Sequence, residues 1–209
     1  MGDGLRLYGD CCVKTIDFYF DFWSPYAYLG SHRIGEIAEK HGCAVNYLPV
    51  DIGRVKLAAG NTGPANLEIK PKIRYLMQDL KRWADIYGLA FGAVPKGKDT
   101  RRINKGVFFA QERNAARDYV REAYAAVWGQ GGDPTSDELL SNLARKMGWD
   151  ADEFLAYVNS AASDERYEQV YNTAVERGVF GVPITIIDGQ MWWGNDRLQF
   201  VDEYLTKNA

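Results

Sequence analysis

Residues 16–27, IDFYFDFWSPYA, decide the fold of this chain. The run before the tryptophan is almost wholly apolar and aromatic, which is typical of a buried central strand. Ser24 and the proline after it favour a helix start, because a serine hydroxyl accepts from a free backbone N–H and proline suits the first helical position. A helix is therefore predicted over residues 25–41, and Gly42 is placed to end it.

Two sets of elements along the chain predict one mixed sheet. The first set is strand, helix, strand over residues 15–22, 25–41 and 44–50. The second set is helix, strand, hairpin turn, strand, helix over residues 165–177, 184–187, 188–189, 191–193 and from about Asn195. Because crossovers between parallel strands are right-handed, few arrangements other than a four-stranded mixed sheet remain.

A second loop, residues 180–183 (FGVP), comes just before the late strand. This loop and the early strand-to-helix turn are the two halves of a thioredoxin-type site, in which we expect a cis peptide bond before Pro183. Redox members of that fold carry Cys-x-x-Cys in the turn, whereas residues 24–27 are Ser-Pro-Tyr-Ala. A site without a thiol cannot make or break disulfides, but it can hold the thiol of another molecule.

Ser24 also has a simpler interpretation. A serine followed by proline is common at helix starts. On its own, such a Ser-Pro dipeptide is therefore more often a helix cap than part of an active site. The apolar strand before Ser24 and the Val-Pro pair downstream favour the site. Both roles stay open at the level of the sequence.

The chain between the two sets is predicted to be helical from Arg54 to Ala162. Thr135 and Asp150 each precede a glutamate by three residues, which is the spacing of a helix capping box. The predicted fold class is α/β, a thioredoxin-like four-stranded mixed sheet with a large all-helical insertion. We divide the chain into a thioredoxin-like domain, a helical insertion domain and a flexible leader, over residues 15–53 with 163–209, 54–162 and 1–14 respectively. A cleft is expected where the insertion meets the two loops.

Composition narrows the class of protein. With 209 residues, 46% of them apolar and 25% charged, the chain is globular and holds one domain, or one domain with an insertion. A net charge of -3 and a pI near 5.5 argue against nucleic acid as a partner. No segment has the length of a membrane span, and three cysteines fit a reducing compartment, so a cytoplasmic location is expected. His32 and His41 lack partners at ligand spacing, and no metal site is expected.

Residues 20–30, FDFWSPYAYLG, together with the helical insertion and the FGVP loop, resemble the kappa-class glutathione transferases. The chain is more similar still to their bacterial relatives, the 2-hydroxychromene-2-carboxylate isomerases of naphthalene breakdown, within the DsbA-like thioredoxin-fold family. Further matching segments are RVK, GNTGPAN, DLKRWA, AVWG and WWGNDRL at residues 54–56, 60–66, 79–84, 126–129 and 192–198. The resemblance extends from residue 15 to about 205.

The resemblance implies that the chain binds glutathione with its thiol at Ser24, the catalytic residue. It also implies that the Val182 backbone pairs with the cysteinyl unit beside a cis Pro183. The γ-glutamyl end would lie on a turn formed by Trp193, Gly194, Asn195 and Asp196. A carboxylate near a helix start also favours the helix dipole, so Asp196 has a structural interpretation too.

For the second substrate, an aromatic keto acid, the resemblance places Lys56 and Asn66 near the carboxylate and the keto oxygen. Lysine and a side-chain amide are suitable partners for those groups. Leu67 stands where the resemblance leads us to expect arginine, and Lys98 stands where we expect tyrosine. Both positions bear on which aromatic ring the site accepts. Taken alone, Lys56 is an ordinary exposed lysine.

The activity implied is glutathione-dependent cis–trans isomerisation between 2-hydroxychromene-2-carboxylate and trans-o-hydroxybenzylidenepyruvate, or a close aromatic analogue. A homodimer is implied as well. An apolar wall that includes Phe22, Trp192 and Trp193 is expected around the aromatic ring. Two alternatives remain: a kappa-type glutathione transferase or peroxidase that consumes glutathione, and a thioredoxin-like binding module without catalysis.

Overall fold

The computed structural model describes residues 14–64, 66–92, 94–95 and 97–208, except for the side chain of Leu67. The predicted leader 1–14 therefore lies outside the described residues apart from Lys14. The strands are β1 to β4: Thr15–Phe20, Ala44–Pro49, Ile184–Ile187 and Gln190–Trp193. The α-helices are α1 to α9: Pro25–His41, Ile52–Ala58, Lys70–Tyr87, Arg101–Gln111, Ala116–Tyr124, Asp137–Lys146, Ala151–Val158, Ala161–Glu176 and Leu198–Lys207. Short 3-10 turns at Asn66–Glu68 and Asn195–Arg197 and a π turn at Ala125–Gly129 complete the set.

The four strands form one mixed sheet in the order β2-β1-β3-β4, as predicted. β1 pairs parallel to β2 and antiparallel to β3, and β3 and β4 form a hairpin. The hairpin turn has positive φ at both Asp188 and Gly189, which suits the right-handed twist of the strands. The α/β thioredoxin-like fold class is confirmed, and β1 lies in the middle of the sheet beside both site loops.

Two strand ends differ from prediction. β1 stops at Phe20 rather than at residue 22, because the chain turns out of the sheet at Asp21. The Asp21 carboxylate accepts from the Trp23 N–H at 3.0 Å, and the Ser24 N–H donates to the Asp21 carbonyl at 2.8 Å. β2 ends at Pro49, one residue before the predicted end.

Two helix starts also differ. α8 begins at Ala161 instead of residue 165, since the Ser160 side chain caps it by accepting from the Ser163 N–H at 3.2 Å. The N-cap of α6 is Ser136, so the predicted cap at Thr135 was wrong by one residue. Asp150 caps α7 as predicted, accepting from the Glu153 N–H at 2.8 Å.

The main core joins β1 to the helices that follow β2. Phe20 and Phe22 of the first strand and its turn pack against Tyr124 of α5, with ring centroids 6.0 Å and 4.5 Å apart. The Tyr124 hydroxyl donates to the Asp21 carbonyl at 2.9 Å, and the Trp128 ring N–H donates to the Phe22 carbonyl at 2.8 Å. Helical side chains thus hold the main chain that leads to Ser24.

Helix α3 rests on α1 through a small cluster separate from the main core, made of Leu29, Leu80 and Ala84. Of the α3 side chains, Leu80 and Ala84 are buried, whereas Tyr75 is 59% exposed. The apolar and aromatic side chains of α3 therefore serve the cleft described below as well as packing. Within the described ranges, no helix is long and apolar enough to cross a membrane.

Candidate active site

A cleft of about 1510 Å³ lies between the β1–α1 turn, helices α2 and α3, and the loop before β3. It is the cleft predicted between the insertion and the two loops. All but one of the predicted site residues line it: Ser24, Lys56, Asn66, Lys98, Val182, Pro183, Trp193, Gly194, Asn195 and Asp196. The exception is Leu67, whose side chain lies outside the description. The fold therefore brings together residues that are up to 172 positions apart in the chain (from Ser24 to Asp196).

Ser24 is the N-cap of α1 and is 5% exposed. Its hydroxyl oxygen accepts from the Ala27 N–H at 3.2 Å. Among the described residues the hydroxyl donates no hydrogen bond, so its proton is available to a group in the cleft. The cap and the site are compatible interpretations, because the cap uses an oxygen lone pair and the site uses the O–H.

The loop before β3 faces Ser24 across the cleft. The Val182–Pro183 peptide bond is cis, as predicted. Gly30 of α1 lies under the proline, and a Cβ there would come within 3.2 Å of the Pro183 ring. The Gly194 N–H donates to the Pro183 carbonyl at 2.9 Å, which ties this loop to the turn after β4.

The turn after β4 presents an amide and a carboxylate. Asn195 is 3% exposed, and its side-chain nitrogen meets no acceptor at hydrogen-bond geometry among the described residues. Tyr87 lies close by: burial raises the pKa of its phenol, and the Asn195 amide opposes that rise. Asp196 is more exposed and pairs with its neighbour Arg197. A buried amide N–H without a partner is costly unless a ligand accepts from it.

Cationic side chains collect at the other end of the cleft. Lys56 is half-buried on α2 and forms no ion pair with any described carboxylate, whereas Lys98 is exposed. Asn66 is exposed, and its amide oxygen accepts from the Lys72 ammonium at 3.2 Å. Arg101 also lines this end, although Asp164 and Glu168 pair with it. Lys56 is therefore available to pair with an anionic ligand, although the carboxylates of Asp51 and Asp99 also line the cleft.

The predicted apolar wall is wrong in two of its three members. Phe22 is fully buried in the main core, and Trp192 packs on Tyr204 with ring centroids 5.2 Å apart, away from the cleft. Trp193 does line the cleft, where its ring meets that of Phe180 edge to face. Strand alternation separates Trp192 from Trp193, because successive side chains point to opposite faces.

Other aromatic residues of the cleft did not stand out in the sequence. Trp23, Tyr26 and Tyr75 all line it. Trp23 and Tyr26 flank Ser24 in the quoted turn, and that adjacency was the available signal. The Tyr26 hydroxyl donates to the Asp79 carboxylate at 2.8 Å, which joins α1 to α3; burial and this bond together raise the pKa of the phenol.

The fold and the site define a class: a thioredoxin-fold protein whose nucleophilic cysteine is replaced by serine, beside a cis proline and a large cleft. The chain belongs to the DSBA-like thioredoxin family, since the model of the DSBA-like thioredoxin domain matches residues 15–206.

The proteins and the solved structure to which the chain is similar agree with this family assignment. A 2-hydroxychromene-2-carboxylate isomerase from Pseudomonas sp. (strain C18) is 40% identical over 97% of this chain and 93% of its own length. A solved structure of a 2-hydroxychromene-2-carboxylate isomerase matches with a TM-score of 0.88 and 39% identity, covering 92% of this chain and 95% of that one. The more distant glutathione S-transferase kappa 1 of Homo sapiens is 25% identical over 92% of this chain and 91% of its own length.

Tyr26→Phe should loosen α3 while leaving the main core intact. The variant loses the hydrogen bond to Asp79, and one such bond to a charged group contributes about 1.5–3 kcal/mol. We expect amide hydrogen exchange in α3 to rise at least about tenfold, with exchange in β1 unchanged. Tyr157→Phe is the control, because its hydroxyl bonds the exposed Glu112 away from the cleft. Equal exchange in α3 of both variants would contradict the prediction.

Proposed function

We propose that the chain is a glutathione-dependent cis–trans isomerase. Its reaction interconverts 2-hydroxychromene-2-carboxylate and trans-o-hydroxybenzylidenepyruvate, or a close aromatic analogue. The observation that carries the proposal is a thiol-free turn, with the O–H of Ser24 free to donate, facing a cis proline in a cleft with a cationic end. The 40% identity to a protein named for this reaction supports it.

Isomerisation at a C=C bond requires that the bond lose its double character for a time. When bound, glutathione supplies a thiolate that adds to the conjugated enone and leaves after rotation, so that glutathione is regenerated and no other reactant is needed. The residues of the chain have three tasks: to favour the ionised thiol, to orient the two molecules, and to hold the keto acid through its charge.

Ser24 favours the ionised thiol. A free thiol is mostly protonated at neutral pH. A hydroxyl donated to a thiolate is a charge-assisted bond of about 1.5–3 kcal/mol, and the N-terminus of α1 adds about 0.3–1 kcal/mol. Both lower the pKa of the thiol. Ser24 thus activates and positions the sulfur and is not itself the nucleophile, since its hydroxyl is hydrogen-bonded to no basic side chain among the described residues.

The described residues fit glutathione along the other loops. Val182, next to the cis proline, offers its main chain to the cysteinyl unit, just before the ladder of β3 begins at Ile184. The buried Asn195 amide lies beside Tyr87, and its N–H, for which the described residues offer no acceptor at hydrogen-bond geometry, can donate to the γ-glutamyl carboxylate. Asp196 can accept from the ammonium group. Trp193 and Gly194 shape the turn between these contacts.

The cationic end of the cleft holds the keto acid. Lys56 lacks a protein counter-ion among the described residues and so can pair with the substrate carboxylate. The Asn66 side chain, which now accepts from Lys72, can donate its N–H to the keto oxygen. Lys98, which lines the cleft, and Leu67 are proposed to influence which aromatic ring is accepted.

A kappa-type transferase or peroxidase is the second candidate, because the human kappa protein is a relative and would share the same sulfur site. The two activities differ in whether free thiol is consumed. We further propose a cytoplasmic homodimer, which fits the small number of cysteines and the resemblance to the isomerases.

Turnover of trans-o-hydroxybenzylidenepyruvate should require glutathione and leave its thiol content unchanged. S-methylglutathione fills the same site without a reactive sulfur, so it should give no turnover. The measurement is absorbance of the keto acid together with a thiol assay before and after reaction. Full activity in protein freed of small thiols would refute the proposal, and stoichiometric thiol loss would favour the transferase.

Ser24→Ala should lower kcat by about one to two orders of magnitude at neutral pH, since it removes a bond of about 1.5–3 kcal/mol to the thiolate. The rate should partly recover as pH rises, because the thiol then ionises in solution. Ser136→Ala is the matched control: it removes the same kind of helix cap at a residue that does not line the cleft. A Ser24 variant equally slow at high pH would instead indicate a covalent role.

Lys56→Met should raise KM for the keto acid by more than it lowers kcat. This pattern is expected for an interaction made equally in the ground and transition states. Glutathione affinity should stay close to that of the unmodified protein. Lys207→Met, a change at an exposed lysine at the end of α9, is the control. If KM for the keto acid is unchanged in Lys56→Met, Arg101 becomes the next candidate for the carboxylate.

A further inference from the structure

Asp21 is a buried carboxylate at the meeting point of three segments that line the cleft. It is 2% exposed, and within the described residues it is the one carboxylate among the buried polar side chains. Within the described residues it forms no salt bridge; burial raises the pKa of this carboxyl, and hydrogen bonds from neutral donors oppose the rise. Burying a carboxylate costs free energy, so its presence at this position indicates a structural or functional role.

Four donors occupy the carboxylate. One oxygen accepts from the Trp23 N–H at 3.0 Å, the Thr100 hydroxyl at 2.5 Å and the Asn104 amide at 3.2 Å. The other oxygen accepts from the Ile52 N–H at 2.9 Å. Each of these bonds is donated to the carboxylate and so favours its charged form.

Each donor belongs to a segment that carries a different group of the proposed site. Trp23 precedes Ser24 in the turn. Ile52 is the first residue of α2, one turn before Lys56. Thr100 stands immediately before α4, between Lys98 and the cleft residue Arg101.

Among the described residues, the Pro183 loop and the turn at Asn195 make no direct hydrogen bond to Asp21. These two segments contact each other, α1 and Tyr87 of α3. Asp21 therefore joins the sulfur end of the site to the end that holds the keto acid, and it leaves the rest of the glutathione site to other elements.

We propose that Asp21 is a positioning residue, which sets the distance between the sulfur held at Ser24 and the keto acid held at Lys56 by binding both segments through one carboxylate. The inference rests on the proposed function. It predicts a division of effects: loss of Asp21 impairs use of the keto acid and leaves glutathione affinity in place. A general structural role would weaken both alike.

The main test is Asp21→Asn, which keeps the shape and replaces one acceptor by a donor. We expect kcat/KM for the keto acid to fall by about tenfold to a hundredfold, from the loss of a bond to a charged acceptor and the clash of two donors. The dissociation constant of glutathione, measured by calorimetry, should change by less than about threefold. Val158→Ala, a fully buried change in α7, controls for loss of stability alone.

Thr100 supplies a second pair of variants. Thr100→Val removes the hydroxyl with little change of shape, and Thr100→Ser retains it. Losing a bond to the charged form raises the carboxyl pKa further, so the acid limb of the kcat/KM profile should move to higher pH in the valine variant and return in the serine variant. The titratable side chains that feel the Asp21 charge are Tyr124 and Tyr167. Burial first, and that charge second, raise the pKa of each phenol well above its usual range, so neither titrates in the acid limb.

Asp51 and Arg101 are the other charges that act on Tyr167, and they are unaltered in the Thr100 variants.

Hydrogen exchange tests the role of Asp21 without any substrate. The amides of Trp23 and Ile52 should exchange about tenfold faster in Asp21→Asn than in Val158→Ala.

Unchanged exchange at both amides, or equal losses of glutathione affinity and keto-acid turnover, would overturn the inference. If the unmodified protein shows no isomerase activity, the proposed function fails, and the exchange result alone decides whether Asp21 holds the two segments together.

Discussion

Hydrogen bonds from helical side chains to the main chain between β1 and α1 are the constraint on which the rest of the structure depends. The Tyr124 hydroxyl donates to the Asp21 carbonyl, and the Trp128 ring N–H donates to the Phe22 carbonyl. Both carbonyls lie beyond the end of β1, where neither has a strand partner. Without those donors, the Asp21 carbonyl would keep only the Ser24 N–H, and the buried Phe22 carbonyl would lose the Trp128 N–H, at a cost of about 1–3 kcal/mol for an unpaired buried group. The helical segment after β2 is thus part of the active turn as well as a cover for it.

This dependence explains why the turn can be rigid without a disulfide or a metal. Ser24 is fixed from one side by its cap on the Ala27 N–H and from the other by its own N–H on the Asp21 carbonyl. Aromatic rings of Phe22 and Tyr124 pack beneath, with centroids 4.5 Å apart. A hydroxyl held this firmly is oriented before any ligand arrives, and preorganised donors stabilise charge more effectively than mobile ones.

Much of the fold could be predicted from the sequence because its signals are local. The Ser24 cap, Gly42 with φ 64° and the Asp188-Gly189 turn each depend on a few adjacent residues, and α1 and β3 have their predicted bounds. The end of β1 could not be predicted, because Asp21 leaves the sheet for donors as distant as Asn104. Thr135 and Ser136 are both good capping residues. Which of them caps α6 depends on which has the extended backbone conformation of an N-cap, and that residue is Ser136.

Site residues could be predicted where they are adjacent in the sequence or where they lie in the motifs that resemble those of the isomerases and kappa-class transferases. Trp192 was assigned to the cleft wrongly because the strand alternation places only its neighbour there. The bonds of Asp21 to Thr100 and of Tyr26 to Asp79 could not be predicted, since these partners lie in distant segments of the chain.

Helix α3 gives this architecture room for divergence. Its attachment through Leu29, Leu80 and Ala84 is separate from the main core, while its cleft face carries the largely exposed Tyr75. Substitutions at such exposed positions of the cleft face can therefore accumulate at little cost in folding free energy, whereas Asp79, which bonds Tyr26, is constrained. The enclosure of the cleft can evolve toward new ring systems while the sulfur site beneath it stays as it is.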